Sequence, residues 1–207
     1  MKLFFVTHNK AKYKEAKQIG LEYNIDINWI NLEYEENQED EIEKIALYSC
    51  NTLIKENPEI KTKNFFLEDA GLFIDALNGF PGPYSSYAFQ KISNEGILTL
   101  MKNKENRKAR FKSVAALFYE GEITLHYGVT EGEIVYEAKG EEGFGFDPIF
   151  RPISSDLTFA EMSLKTKNLY SHRQKSLREL LSQKLPSLKN KHGEIDGKDA
   201  RKKKRKS

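Results

Sequence analysis

Leu3-Phe4-Phe5-Val6-Thr7-His8-Asn9-Lys10-Ala11-Lys12-Tyr13-Lys14-Glu15-Ala16-Lys17-Gln18-Ile19-Gly20 changes its period halfway along. The first four residues are a short apolar run, the mark of a buried strand. After Thr7-His8-Asn9 the pattern turns helical through Lys12, Glu15, Ala16 and Ile19, and stops at Gly20. A strand that feeds a helix through short polar residues opens an α/β fold.

The pattern continues outward. Ile25-Asp26-Ile27-Asn28-Trp29-Ile30 alternates with period two and reads as a strand with one wet face. Residues 33–43 carry seven acids and lead into a helix through Ile42, Ile45, Ala46 and Leu53, closed before Pro58. Asn64-Phe65-Phe66-Leu67 is the next strand, expected to end on Glu68-Asp69-Ala70-Gly71. After the breakers Gly79-Phe80-Pro81-Gly82-Pro83, a helix is predicted from Ser93 to Lys102. Three β-rich runs follow, Phe111 to Tyr119, Ile123 to Val129 and Glu133 to Tyr136, punctuated by Glu120-Gly121 and Glu131-Gly132. They read as an antiparallel meander. The last helix runs from Ser171 to Leu185. The expectation is a mixed β-sheet with flanking helices in two lobes around a cleft, the natural place for a ligand.

Composition excludes several classes. Aromatics make up 12% of the 207 residues, enough for a packed core, so whole-chain disorder is excluded. Cys50 is the single cysteine and there are four His, which rules out an internal disulfide and a Cys-rich zinc site. The apolar N-terminal run is too short for a signal peptide, and no stretch approaches about 20 apolar residues, so a soluble cytoplasmic protein with no membrane partner is expected. The formal charge of +2 is uneven: residues 191–207 carry +5 and the rest −3. We divide the chain at 187, with residues 188–207 a basic tail expected to be disordered. Arg201-Lys202-Lys203-Lys204-Arg205-Lys206 would give weak, salt-dependent nucleic-acid contact, but the acidic body offers no matching patch.

Four constellations could carry chemistry. Thr7-x-Asn9-x-x-Lys12 stands at a helix start, where backbone N–H groups favour phosphate; the same residues serve equally as an ordinary cap. Glu68 and Asp69 at a strand end, with Glu36 in the acidic run, supply hard oxygen ligands of the kind Mg²⁺ takes, or else a turn and a solvated acidic face. In Gly143-Phe144-Gly145-Phe146-Asp147-Pro148 an aromatic ring between glycines can lie against a nucleobase, or tuck into the core. Lys167 and Ser171-His172-Arg173 place donors at the entry to the last helix, for phosphates or ring carbonyls, or for solvent.

Taken together and in order, these segments resemble the inosine triphosphate pyrophosphatase (Ham1-like) family, most closely its archaeal branch. The motifs are Phe5-Val6-Thr7-His8-Asn9-Lys10-Ala11-Lys12, Glu68-Asp69-Ala70-Gly71-Leu72, Gly79-Phe80-Pro81-Gly82-Pro83-Tyr84-Ser85-Ser86-Tyr87, Gly143 to Pro148, Thr158-Phe159-Ala160-Glu161-Met162, and Lys167-Asn168 with Ser171-His172-Arg173. The resemblance spans about residues 1–185. It implies an elongated mixed α/β fold, a homodimer, and a hydrolase acting on acid anhydrides. The reaction implied is cleavage of ITP, dITP and XTP at the α–β bond to the monophosphate and pyrophosphate, which cleans the nucleotide pool of deaminated purines. It further implies that Thr7, His8, Asn9, Lys10, Ala11 and Lys12 hold phosphates. Glu36 and Asp69 would bind Mg²⁺ (or Mn²⁺), with Asp69 also the general base. Ala70, Phe144, Gly145, Phe146, Asp147, Lys167, His172 and Arg173 would contact the nucleotide. Arg173 can donate to a 6-keto oxygen and accept nothing from a 6-amino group. GTP shares that keto group, so its exclusion must come from the 2-position. The Maf-like nucleotide pyrophosphatases are the alternative, and Thr7-His8-Asn9 stands where they carry a Ser-rich, Arg-containing motif.

Overall fold

The computed structural model describes residues 2–183. The basic tail, the expected boundary at 187 and the end of the last helix at Leu185 lie outside them. The elements in chain order are β1 (Lys2–Val6), α1 (Lys10–Glu22), β2 (Asp26–Ile30), α2 (Ile42–Glu56), β3 (Phe65–Ile74), β4 (Pro81–Gly82) and α3 (Ser85–Leu100). Then come β5 (Lys108–Tyr119), β6 (Glu122–Ile134), β7 (Phe150–Pro152), α4 (Leu164–Tyr170) and α5 (His172–Gln183).

The strands form one seven-stranded mixed sheet in the order β2-β1-β3-β5-β6-β7, with β4 beside β3. β1 is parallel to β2 and β3, and the pairs β3–β5, β5–β6 and β6–β7 are antiparallel. Because side chains alternate along a strand, the first half of the sheet buries both faces. Leu3, Phe5, Phe66, Ala115 and Leu117 pack under α1 and α5. Val6, Phe65, Leu67, Val114, Ala116 and Phe118 pack under α2. Same-face partners meet ring to ring, Phe5 with Phe66 at 4.4 Å and Phe65 with Phe118 at 5.3 Å. Beyond the middle of β3 a separate core takes over, built from Leu72, Ile74, Phe111, Ile134 and Phe150 with Ile97 and Met101.

Three readings of the sequence need correction. β3 does not stop at Glu68-Asp69-Ala70-Gly71 but runs on to Ile74, paired throughout with β5 from Phe65↔Phe118 to Ile74↔Ala109. The expected meander is a two-stranded hairpin. Glu120 and Gly121, both at positive φ, make its turn, but Glu131-Gly132 lies inside the thirteen-residue β6. Gly132 is there for close approach: a Cβ would stand 2.4 Å from the Arg151 carbonyl oxygen. The helix predicted from Ser93 is the second half of α3, which starts at Ser85 and breaks at Ser93.

The outer edge of β6 beyond its short pairing with β7 is met by side chains of α5. Glu179 accepts from the Tyr127 N–H at 2.6 Å, and Lys175 donates to the Val129 carbonyl at 2.7 Å. A helix thus occupies polar backbone groups that an open edge would offer to another strand. Among the described residues, no helix is long and apolar enough to cross a membrane.

Candidate active site

The segment after β1 is fixed before any ligand enters. The Thr7 N–H donates to the Ile30 carbonyl at 3.1 Å, and Trp29 Nε1 donates to the Thr7 carbonyl at 2.6 Å. Asn9 caps α1, its Oδ1 accepting from the N–H groups of Ala11 and Lys12 at 2.9 and 3.1 Å, while Thr7 Oγ1 accepts from the Asn9 N–H. Capping uses oxygen acceptors, so the Thr7 hydroxyl hydrogen and the Asn9 amide hydrogens remain for an anion. His8 stacks on Tyr34 with ring centroids 5.9 Å apart.

Helix α1 then sends Lys12 and Glu15 inward from one face. Lys12 Nζ stands 3.0 Å from the Glu68 carboxylate and 3.2 Å from its carbonyl oxygen. Arg173 bridges Glu68, at 3.1 Å, and Glu15. Glu15 also binds Lys167 at 2.7 Å, and Lys167 binds Asp147 at 2.6 Å. The result is an alternating chain, Lys12–Glu68–Arg173–Glu15–Lys167–Asp147, joining α1, β3, α4, α5 and the loop after β6. Glu15, Glu68, Lys167 and Arg173 are all at most 5% exposed. Isolated buried charges would be severely destabilising; paired alternation is how they are tolerated. Burial works against ionising Glu68 and Glu15, yet the cations beside them hold both carboxyls below the usual range.

Asp69 faces the other way along the strand and has the opposite balance. Burial pushes its carboxyl up to about 7, Lys12 opposes this, and Glu68 and Glu36 add to it. Its Oδ2 is enclosed and has no hydrogen-bond partner among the described residues. His172 stacks on Phe111 at 4.7 Å, nearly parallel, and burial with Arg173 alongside lowers its pKa well below the ordinary value, so the imidazole is neutral.

The loop 143–147 closes the far side. Asp147 Oδ2 accepts from the Phe144 N–H at 2.8 Å as well as from Lys167. Gly143 makes room for that carboxylate: its φ is +77°, and a Cβ would lie 2.2 Å from Asp147 Oδ2. Phe144 is half-buried, with Lys167 Nζ 4.9 Å and the Arg173 guanidinium 5.7 Å from its ring centroid. Phe146 is buried against Phe89.

These parts surround a cleft of about 450 Å³, and a second cavity of about 280 Å³ adjoins it across Glu36, Asp69, Pro83, Ser86 and Gln90. Of the residues singled out from the sequence, Thr7, His8, Asn9, Lys12, Glu36, Asp69, Ala70, Phe144, Gly145, Phe146, Asp147, Lys167, His172 and Arg173 line the larger one. Lys10 and Ala11 do not; Lys10 instead lies over the Trp29 ring. Each terminal nitrogen of Arg173 donates one hydrogen to a carboxylate, Glu15 or Glu68, and its Nε has no partner among the described residues. The sequence reading did not single out Glu15, or Phe89, Gln90 and Phe111 on the cleft wall. Glu15 carried a signal, a carboxylate on the buried helical face between Lys12 and Ile19.

No cluster of three or more His, Cys, Asp or Glu suited to a metal occurs among the described residues. Two carboxylates on one cavity wall, one with an unsatisfied oxygen, nevertheless fit a hard cation that draws its other ligands from water and phosphate.

This geometry has counterparts. The chain is 47% identical over 178 residues to the dITP/XTP pyrophosphatase of Methanopyrus kandleri, covering 86% of this chain and 93% of that protein. It is 42% identical over 191 residues to the dITP/XTP pyrophosphatase of Thermococcus kodakarensis, covering 91% of this chain and all of that one. The solved structure of the Staphylococcus aureus Ham1 protein superposes with a TM-score of 0.72 at 29% identity, covering 87% of this chain and 96% of that one. The model of the Ham1 family matches residues 3–183, which include every group of the cleft and of the charge chain behind it. By sequence and by architecture alike, this chain belongs to the Ham1 family.

Proposed function

We propose that this chain hydrolyses deaminated purine nucleoside triphosphates, ITP, dITP and XTP, to the monophosphate and pyrophosphate. The carrying observation is Asp69: a half-buried carboxylate with one enclosed, unpartnered oxygen, pushed up to about 7 by burial and set between a helix start rich in donors and an aromatic loop. A general base works best when its pKa lies near the operating pH. The relatives named dITP/XTP pyrophosphatase, matched over nearly their whole length, support the substrate class.

In this reading the triphosphate lies against Thr7, Asn9, Lys12 and the first N–H groups of α1, which neutralise the charge that repels a nucleophile. Asp69 orients a water toward the α-phosphorus and takes its proton. Glu36 and Asp69 would hold Mg²⁺ or Mn²⁺, whose chemistry is Lewis-acid stabilisation of phosphate oxygens. The base stacks on Phe144. Asp147, pinned by Lys167, fixes the height of that ring through the Phe144 N–H. His172 Nδ1 and Arg173 Nε, enclosed and unpartnered among the described residues, are the groups free to meet a 6-keto oxygen. Adenine offers an amino group there, and an unpaired buried donor costs about 1–3 kcal/mol, roughly a 10–100-fold preference. The assembly we propose is a homodimer, and the compartment the cytoplasm.

The test is pyrophosphate release from ITP, XTP, dITP, GTP, ATP and dUTP, with Mg²⁺ and then EDTA, on wild type and Asp69→Asn. Metal-dependent release concentrated on ITP, dITP and XTP, and lost in the variant, is expected. Orthophosphate as the product, a pyrimidine preference or indifference to Asp69 would refute the assignment.

A further inference from the structure

Helix α3 carries a break that the sheet does not require. Ser93, in its middle, has φ 54° and ψ −165°, a left-handed conformation unfavourable for any residue with a Cβ. The neighbouring sequence accommodates the bend. A Cβ at Gly96 would stand 2.4 Å from Ile92 Cβ, so Ile92 can fold over that position only because it is glycine.

The two sides of the break do different things. Before it, Ser86, Phe89 and Gln90 line the cleft, and Phe89 meets Phe146 edge to face at 5.4 Å. Immediately after it, Asn94 Nδ2 donates to the Gly145 carbonyl at 3.3 Å. Gly145 itself lines the cleft at φ +62°, with nothing within 4 Å of where a Cβ would be, so packing does not hold it. The loop is therefore pinned at Phe144 by Asp147 on one side and at Gly145 by Asn94 on the other. Asn94 Oδ1 is enclosed without a partner among the described residues, so the amide makes this one bond and leaves a buried acceptor unsatisfied. A strained residue and an unsatisfied atom on one short segment are the signature of geometry kept for function rather than for stability.

We infer that the break in α3 delivers Asn94 to the Gly145 carbonyl, making Asn94 a positioning residue that sets where the Phe144–Phe146 loop meets the base and so governs selection among 6-keto purines. Asn94 acts through Gly145 and touches no substrate. The inference rests on the proposed reading of the cleft as a purine nucleoside triphosphate site. It supplies what that reading lacks, a structural basis for distinguishing ITP from GTP, which differ only at the 2-position. A loop held at one point can shift to admit a 2-amino group; a loop held at two points cannot.

The test is steady-state kinetics of the full chain with ITP and GTP at saturating Mg²⁺, for wild type, Asn94→Ala, the near-isosteric Asn94→Asp, which removes the donor, and Gly96→Ala, which keeps the Asn94 side chain but disturbs the bend that aims it. For both Asn94 variants the KM for ITP should rise about 3- to 10-fold, the effect of one lost hydrogen bond. Their kcat should stay within about two-fold, and the ITP-over-GTP ratio of kcat/KM should fall by a similar factor. Gly96→Ala should show the same loss of selectivity. An unchanged ratio in Asn94→Asp, whatever its melting temperature, overturns the inference and leaves the assigned activity standing. A wild type that releases no pyrophosphate from ITP overturns the assigned activity and this inference with it.

Discussion

Asp69→Asn offers a test of the site that needs no turnover. The carboxyl of Asp69 is displaced from an ordinary 3.8 up to about 7, first by burial and then by Glu68 and Glu36 against Lys12. The folded protein therefore holds ionised Asp69 at a cost that the unfolded chain does not bear. Between pH 3.8 and 7 the native state keeps a proton that the unfolded state has released, so stability falls as pH rises through this window, and the loss is complete above it. From pH 5 to pH 8 about two units of the shift are traversed, about 3 kcal/mol at 1.36 kcal/mol per unit. Asp69 is only half-buried, and screening by cleft water brings the working figure to about 1.5 kcal/mol. At about 2–4 °C per kcal/mol for a chain of this size, that is about 3–6 °C. Asparagine has the same shape and no charge. Thermal unfolding in EDTA should thus show the melting temperature of the variant minus that of wild type growing by about 3–6 °C from pH 5 to pH 8. Added Mg²⁺ should then raise the wild type at pH 8 and leave the variant nearly unmoved. A difference that is flat with pH, or larger at pH 5, would refute the assignment of Asp69 as the destabilised carboxylate.

Two further perturbations probe the frame behind it. Glu15→Gln removes the central anion of the charge chain and leaves Lys167 and Arg173 each short of one buried partner. Breaking one side of a buried pair costs about 3–5 kcal/mol, so calorimetry should give a melting temperature lower by at least about 6 °C. A drop under about 2 °C would mean that the chain adds little to folding. Gly128→Ala places a Cβ 1.9 Å from the His172 carbonyl oxygen and 2.6 Å from the Ser176 nitrogen, so the first turn of α5 must move off β6. Overpacking costs about 1–3 kcal/mol even in side-chain cores. Here rigid backbone is met, and pyrophosphate release should fall with stability, because His172 and Arg173 ride on that turn.

The sequence disclosed some of this better than the rest, for physical reasons. β2, α1 and α2 were legible because each has one dry face, which prints its period into the chain, and β1 because an unbroken apolar run marks a strand buried on both faces. The course of β3 was not. A run such as Glu68-Asp69-Ala70-Gly71 looks like the end of a strand because unpaired carboxylates do not belong inside one. The cations that pair Glu68, Lys12 and Arg173, lie 56 and 105 positions away along the chain, beyond any local pattern. Gly132 misled for a related reason: close approach to β7 and the requirements of a turn both select glycine, and only the fold separates them. In the cleft, residues within recurring motifs were legible together although none was decisive singly. Asn94 and Gln90 belong to no such motif: Gln90 lines the cleft from the first half of α3, and Asn94 meets Gly145 just past the break at Ser93.

The charge chain also bears on why a metal is expected here. Lys12, Arg173 and Lys167 are matched by Glu68, Glu15 and Asp147, so the six groups, all buried but the half-buried Lys12, sum to zero when ionised. What they do not offset is the pair Glu36 and Asp69 on the cavity wall. With both ionised, the place where a triphosphate must arrive carries two more negative charges, and Glu36 adds to the rise in the pKa of Asp69 that burial begins and Lys12 opposes. A monovalent cation would leave the surplus half intact, and a trivalent one would overshoot. A divalent cation balances it, which predicts that Mg²⁺ affinity should weaken as pH falls below about 7 and Asp69 takes up its proton. Titration calorimetry of Mg²⁺ at pH 6 and pH 8, without nucleotide, reads this directly, and equal affinities at the two values would separate Asp69 from the metal.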